Sequence, residues 1–436
     1  MTKTTSLSSR VCSVLGIELA ERGAVFWSCG YFFFLLAAYY VLRPVRDTMG
    51  LVGGVRHLPW LFTAAFFALL VLQPVYSAAV AYIPPRTFIP LVYRFFTANV
   101  LIFWLLLTFH VATVYVARAF FVWVSVFNLF VVSVFWSFMA DLYTSEQSKR
   151  LFGFISAGGT AGSLLGPSLA VTLSRPLGPV NLLLISALLL ELALFCAGRL
   201  EKASPYGGQA QAGAASAEDG AVGGGALDGL KRLTRSPYLA GIAAWVSLLS
   251  FCATTLYLEQ ANVVSAASRN RAVQTRIFAS IDLAVGVLTL LTQASATGRL
   301  VQRLGVGFGA SLLPLAFGAG FFALWLTPRL TTVVAFQAVQ RTIHFAISTP
   351  ARQALFTVAR REDKYKAKNA IDLVVYRGSD ALWGWLFATL RHLHFSLQTI
   401  ALVAVPVTAI WYIIAIALGR AFEQRARKMF GGTFLD

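Results

Sequence analysis

Arg341, Arg377 and Asp380 lie well inside runs of apolar residues long enough to cross a bilayer. A charge at the centre of a membrane costs at least roughly 2.5–3.5 kcal/mol, so such side chains face a protein interior or a watery cavity and mark a site of function by default. Arg377 and Asp380 are three apart and share a helix face. They read either as an internal ion pair or as a cation for an anionic ligand, with a carboxylate beside it that orients or couples. Arg341 has the same two readings: it meets a buried acid or an anionic ligand. His344, Ser348, Thr349, Pro350 and Arg352 follow it along the same run. Asp282 and Glu191 are two more acids in apolar surroundings, suited to structural pairing or to carrying a coupling proton.

The first apolar run ends Tyr39-Tyr-Val-Leu-Arg-Pro-Val-Arg-Asp-Thr-Met-Gly50. Arg43 and Arg46 share a face, Asp47 adjoins them, and Pro44 kinks or ends the helix. They are interfacial anchors whose heads snorkel to water, or a cationic clamp on a central cavity. Arginine suits the second role because its planar fork holds two phosphate oxygens at once. Further on, Asp141, Glu146, Lys149 and Arg150 make a charged elbow between the fourth and fifth runs. Its counterpart leads into the eleventh run: Glu362, Asp363, Lys364, Lys366 and Lys368, ending at Asp372. Charges at these matched points, paired in one conformation and apart in another, would gate alternating access. Gly158, Gly162 and Gly166 recur every four residues, a smooth stripe against which a neighbouring helix packs.

The elements that position these residues are helices in lipid. The chain has 436 residues, of which 58% are hydrophobic and 12% charged, with a mean hydropathy of +0.71. This is the composition of a polytopic helical membrane protein, not of a soluble domain. Twelve apolar runs are expected, near 24–46, 58–82, 91–113, 115–140, 151–174 and 180–199, then 238–260, 276–297, 307–327, 331–357, 369–390 and 396–419. They divide into a tail at 1–23, a six-helix bundle at 24–199, a small-residue linker at 200–237, a second bundle at 238–420 and a tail at 421–436. Six spans, a linker and six spans is the layout of the major facilitator superfamily.

With the N-terminus inside, Lys3, Lys149, Lys202, Lys231, Lys364, Lys366, Lys368 and Lys428 all fall on the cytoplasmic side, so both termini are expected there. The net charge of +18 is read as this insertion signal and not as a nucleic-acid footprint. No cleavable signal is expected at the start. No nucleotide-binding loop, metal-site spacing or nucleophile elbow is present, so neither an enzyme nor a cofactor is expected.

Leu42-Arg-Pro-Val-Arg-Asp47, Phe135-Trp136 with Lys149-Arg150, Ser236-Pro237-Tyr238 and Lys366-Ala-Lys-Asn-Ala-Ile-Asp372 resemble segments of the nucleotide transporter family of plastids and intracellular bacteria, the ATP:ADP antiporters. The resemblance is closer to their free-living bacterial relatives, the NTP/NDP exchange transporters, and is scattered over nearly the whole chain. It implies a major facilitator fold. Family members show Leu-Arg-Asp-Thr-Lys-Asp at the end of the first span. Arg43 and Asp47 match that pattern, and Arg46 keeps the charge of the lysine associated with substrate. Arg377 beside Gly378 is the nearest equivalent of a second family cation. The chain departs from the family at two glutamates. The fourth run has no acid in its apolar interior, and Tyr257 stands at the seventh-span position with Glu259 two residues on.

The expectation is therefore an all-α membrane protein of twelve transmembrane helices in two six-helix halves, acting as a secondary transporter by alternating access. Its solute would be anionic and nucleotide-like, of ATP/ADP type, moved by exchange or symport. Arg43, Arg46, Asp47, Arg341, Arg377 and Asp380 would contact it, and Asp282 would serve coupling. The alternatives are a proton-coupled carrier of another organic solute and a non-transporting sensor or assembly protein. The bacterial inner membrane is the expected location and a monomer the expected state, with the lipid bilayer as partner and no nucleic acid.

Overall fold

Inside a bilayer each backbone N–H and C=O must be satisfied within the protein, and a run of some twenty apolar residues does so as a helix. A computed structural model describes residues 21–203, 233, 235–295, 297–358, 367, 368 and 370–430, and these are helical almost throughout. The first six long helices are α1 Arg22–Gly50, α2 Leu58–Tyr82, α3 Pro85–Thr108, α4 Thr113–Leu142, α5 Ser145–Leu173 and α6 Leu182–Ala203. After the linker come α7 Pro237–Ala267, α8 Arg271–Ser295 and α9 Thr297–Leu326. Among the described residues, ten helices are long and apolar enough to cross a membrane.

The two expected spans that fail this test are the tenth and eleventh, and the reason is a change of helix type. α10 is an α-helix at Leu330–Ile343, a π-helical stretch at His344–Ser348 and a further turn or two at Thr349–Leu355. α11 begins with a second π-helical stretch, Ile371–Val375, and continues as Tyr376–His392. Pro350 lacks an N–H and frees a carbonyl one turn back, which accounts for the widened turn ahead of it. The stretch at Ile371–Val375 has no proline and offers no comparable cause.

Other boundaries moved for local reasons. The elbow before α5 is itself helical from Ser145, because Thr144 and Gln147 form a capping box. α9 is broken at Gly305, whose φ of 80° suits a residue without a Cβ. α12, Leu397–Phe430, continues through the charged segment expected to be a tail, and Arg425 lies 4.3 Å over the Tyr238 ring. The linker core and the Arg361–Lys366 loop fall outside the described residues.

The chain forms two compact units. One contains residues up to Met49 and from Gln73 to the linker; the other contains Gly50–Leu72 and everything after the linker. In the first unit α5 lies against α1 along the glycine stripe. A Cβ on Gly158 would stand 2.6 Å from the Cys29 carbonyl oxygen, and one on Gly166 2.7 Å from that of Ala37. The packing expected of the stripe is therefore what the structure shows. Phe32 and Phe135 stack at 4.2 Å beside it. In the second unit the core is built on Trp245, Trp411, Phe317 and Phe336. There the first half of α2 packs on α11, with Trp60 and Trp385 rings at 4.7 Å and Trp385 Nε1 donating to Thr63 Oγ1 at 3.0 Å.

Candidate functional site

α1 does not end at Pro44. It runs on to Gly50, so Arg43, Arg46 and Asp47 sit on continuous helix. Thr48 Oγ1 donates to the Pro44 carbonyl at 3.0 Å and closes the turn after the proline. Arg46 folds back on its neighbour, with Nη2 at 2.6 Å and Nε at 3.0 Å from Asp47 Oδ1. Its guanidinium also lies 5.1 Å over the Phe121 ring of α4. That combination fixes the position of the planar fork, as a charge-assisted pair with a cation–π contact does. Arg43 lies 5.8 Å over Tyr40.

The second unit draws its charges from distant parts of the chain. Arg341 Nη1 donates to Asp282 Oδ1 at 2.6 Å, joining α10 to α8, and both side chains are largely buried. Next to Arg341 a ladder of buried amides crosses to α7: Gln340 Nε2 donates to Gln337 Oε1 at 2.8 Å, and Gln337 Nε2 donates to Gln260 Oε1. On α11, Asp380 accepts from Ser250 Oγ at 2.6 Å and Thr254 Oγ1 at 3.3 Å, both on α7, and lies 3.7 Å from Arg377. The seam continues with Ser247 and Ser379 at 2.9 Å and with Trp383 Nε1 donating to the Ser247 carbonyl at 3.0 Å.

The structure thus brings Arg341 to Asp282, Arg377 to Asp380 and Arg46 to Asp47. Each intramembrane arginine in these pairs meets a carboxylate, and the two in the second unit sit beside the two π-helical stretches. Such stretches recur at functional sites because they turn side chains off the regular helical register.

Two of the elbow residues, Arg150 and Asp372, have partners inside their own units. Arg150 Nη2 donates at 2.7 Å to Glu21 Oε1, which also accepts from Gln147 Nε2 at 3.0 Å. Arg352 Nη1 donates at 3.0 Å to Asp372 Oδ1. Asp141 is exposed on the last turn of α4, and Lys368 is half-buried. Lys366 and the side chain of Lys149 lie outside what the structure describes.

Sequence reasoning passed over Glu21, Arg352 as a partner, Ser250, Thr254 and the glutamine ladder. Ser250 and Thr254 carried a readable signal: two hydroxyls four apart on an apolar helix share a face and need a polar partner.

No protein-family model matches the chain, and no curated protein matches it significantly. Solved structures do match over nearly its whole length. A POT family transporter in complex with 5-aminolevulinic acid aligns with a TM-score of 0.61 at 11% identity, covering 92% of this chain and 96% of that one. The nucleoside transporter NupG aligns with a TM-score of 0.61 at 12% identity, covering 92% and 99%. A peptide transporter POT in complex with alafosfalin aligns at 0.60 and 14% identity, covering 91% and 95%. At these identities the likeness is one of fold, and the fold is the all-α, major-facilitator-like arrangement.

Proposed function

We propose that this chain is a secondary transporter of the bacterial inner membrane, with both termini cytoplasmic, that moves an anionic, nucleotide-like solute by alternating access. The observation that carries the reading is the set of intramembrane arginine–carboxylate pairs, Arg46–Asp47, Arg341–Asp282 and Arg377–Asp380. Buried ion pairs roughly break even against apolar packing, so they are poor devices for stability alone. Each suits a contact at which an incoming anion displaces the carboxylate and takes over the guanidinium fork. The likeness in fold to transporters supports the transport part of the reading. The resemblance at Leu42–Asp47 and Lys366–Asp372 supports the nucleotide part.

The test is binding and uptake of labelled ATP, ADP, AMP and adenosine by purified protein in liposomes. Affinity should fall as phosphates are removed. Arg46→Ala and Arg377→Ala should each weaken binding by roughly 2–5 kcal/mol, the usual cost of truncating a buried charge contact. Arg46→Lys should be milder because the charge remains. Adenosine bound as well as ATP, or no binding of any of the four, would sink the nucleotide reading. Unchanged affinity in both alanine variants would sink the role of these arginines as anion contacts.

A further inference from the structure

Glu259 has no role in the arrangement above, yet among the described residues it is a buried acid with an unpartnered oxygen and no counter-charge. It sits on α7, eight residues before the helix ends at Ala267, which is about 12 Å of helix. It is 3% exposed, among Leu256, Leu258, Ala261 and Val264 of its own helix, all buried. Its Oε1 has no hydrogen-bond partner among the described residues. An ionised carboxylate in that position would forgo both water and a counter-charge, and proteins avoid that state by keeping the acid protonated.

The charged groups around it are already engaged or lie elsewhere on their helices. Asp282 of α8 and Arg341 of α10 hold each other, as do Arg377 and Asp380 of α11. Asp372, in the π-helical stretch of α11, is bonded to Arg352. Arg276 lies nearer the start of α8. Arg56 and His57 stand in the turn Val55–His57 that packs on α7, and Tyr412 is the titratable residue in the apolar part of α12. Beside Glu259 in sequence, Gln260 opens the amide ladder that ends at Gln340, next to Arg341.

We propose that Glu259 is a proton-binding site of the transporter. In the conformation described here it is a neutral carboxylic acid. When rearrangement of the second unit admits water, its O–H bond breaks, the proton passes to water and a carboxylate remains. Reprotonation from the other side of the membrane closes the cycle, so solute movement is linked to a pH gradient. The coupling rests on the transport reading above; the proton site does not rest on the nucleotide.

The experiment has two independent readouts on the full-length protein in liposomes. Infrared difference spectra between acid and alkaline buffer should show a carboxylic-acid C=O band in wild type. Glu259→Gln should remove that band and Glu259→Asp should shift it. A wild-type difference spectrum left unchanged by both substitutions means that Glu259 does not change protonation between the two buffers and overturns the proposal whatever the protein transports. The second readout is uptake of labelled ATP. An imposed pH gradient should drive accumulation in wild type, and Glu259→Gln should lose it while keeping ATP/ADP counterflow. Gradient-driven accumulation in Glu259→Gln equal to wild type overturns the coupling. If wild type moves neither ATP nor ADP, the nucleotide reading fails and the infrared band alone decides the proton site.

Discussion

In the first unit α5 meets α1 backbone to backbone, with Gly158, Gly162 and Gly166 set against the carbonyls of Cys29, Phe33 and Ala37. In the second unit α7, α8, α10 and α11 meet through side-chain hydrogen bonds and ion pairs. Arg341 reaches Asp282, Asp380 takes Ser250 and Thr254, and three glutamines bridge α10 to α7. The two kinds of contact have different consequences. A glycine seam has one arrangement, because any slide brings side chains onto backbone. A polar seam can exchange partners, and switching needs an element with two discrete arrangements. Both π-helical stretches of the described chain also lie in the second unit. The first unit therefore reads as the stiffer of the two, and the second as the one whose seam can rearrange.

The largest expected effect tests the polar seam. Arg341→Ala leaves Asp282 buried without its counter-charge, and breaking a buried pair from one side costs about 3–5 kcal/mol. Asp282→Asn alone should be costly for the same reason. The double variant Arg341→Ala with Asp282→Asn should recover part of that loss, since the two residues are coupled. Thermal unfolding of detergent-purified protein reads all three. If the double variant is as unstable as the sum of the singles, the pair is not the unit that holds α8 to α10.

The next effect tests the glycine seam. Gly162→Ala places a methyl against the Phe33 carbonyl and about 3.1 Å from the Ala37 nitrogen, which the backbone must move to admit. Overpacking of this kind costs typically 1–3 kcal/mol. Gly153 and Gly198 have nothing within 4 Å, so alanine there should be neutral or slightly stabilising. In the second unit a Cβ on Gly307 would come 3.0 Å from the Gly419 Cα, and Gly307→Ala is the matched comparison. Equal losses for Gly162→Ala and Gly153→Ala would remove the case that the first unit is held by close backbone approach.

The periodic and local features of this molecule were legible in the chain. Apolar runs gave the spans, the spacing of four gave the glycine seam, and the spacing of three brought Arg377 to Asp380. What joins distant segments was not legible. Asp282 and Arg341 are 59 residues apart, and either was free to meet another charge. Glu21 precedes the first apolar run and reads as tail, yet it is 3% exposed and takes two donors from α5. The π-helical stretches differ from their surroundings by one hydrogen-bond register, which a hydrophobic pattern does not encode. α12 outran its expected end because Glu423, Arg425 and Lys428 are adequate helix formers once Tyr238 offers a ring to stack on.

The smallest expected effect compares the two elbows. The matched charges suggest a latch, and the two described pairs at them are Arg150 with Glu21 and Arg352 with Asp372, each within one unit. These pairs differ in burial. Glu21 is 3% exposed and would keep Gln147 if Arg150 were removed, whereas the Asp372 side chain is 39% exposed and reaches water. Partly exposed pairs contribute roughly 0–1 kcal/mol, and Asp372→Asn should fall at the bottom of that range. Arg150→Gln should cost somewhat more, because one donor to a buried carboxylate is lost, in the range of about 1–3 kcal/mol for an imperfectly satisfied buried group. Raising salt should erase the Asp372 difference and leave most of the Arg150 difference, since screening acts on the exposed pair. Arg150→Glu combined with Glu21→Arg should restore more stability than Arg352→Asp combined with Asp372→Arg, because only the first exchange repairs a buried carboxylate. Equal and salt-independent effects at both elbows would mean that burial does not separate them. The elbows would then have to be distinguished by what each does to the transport rate.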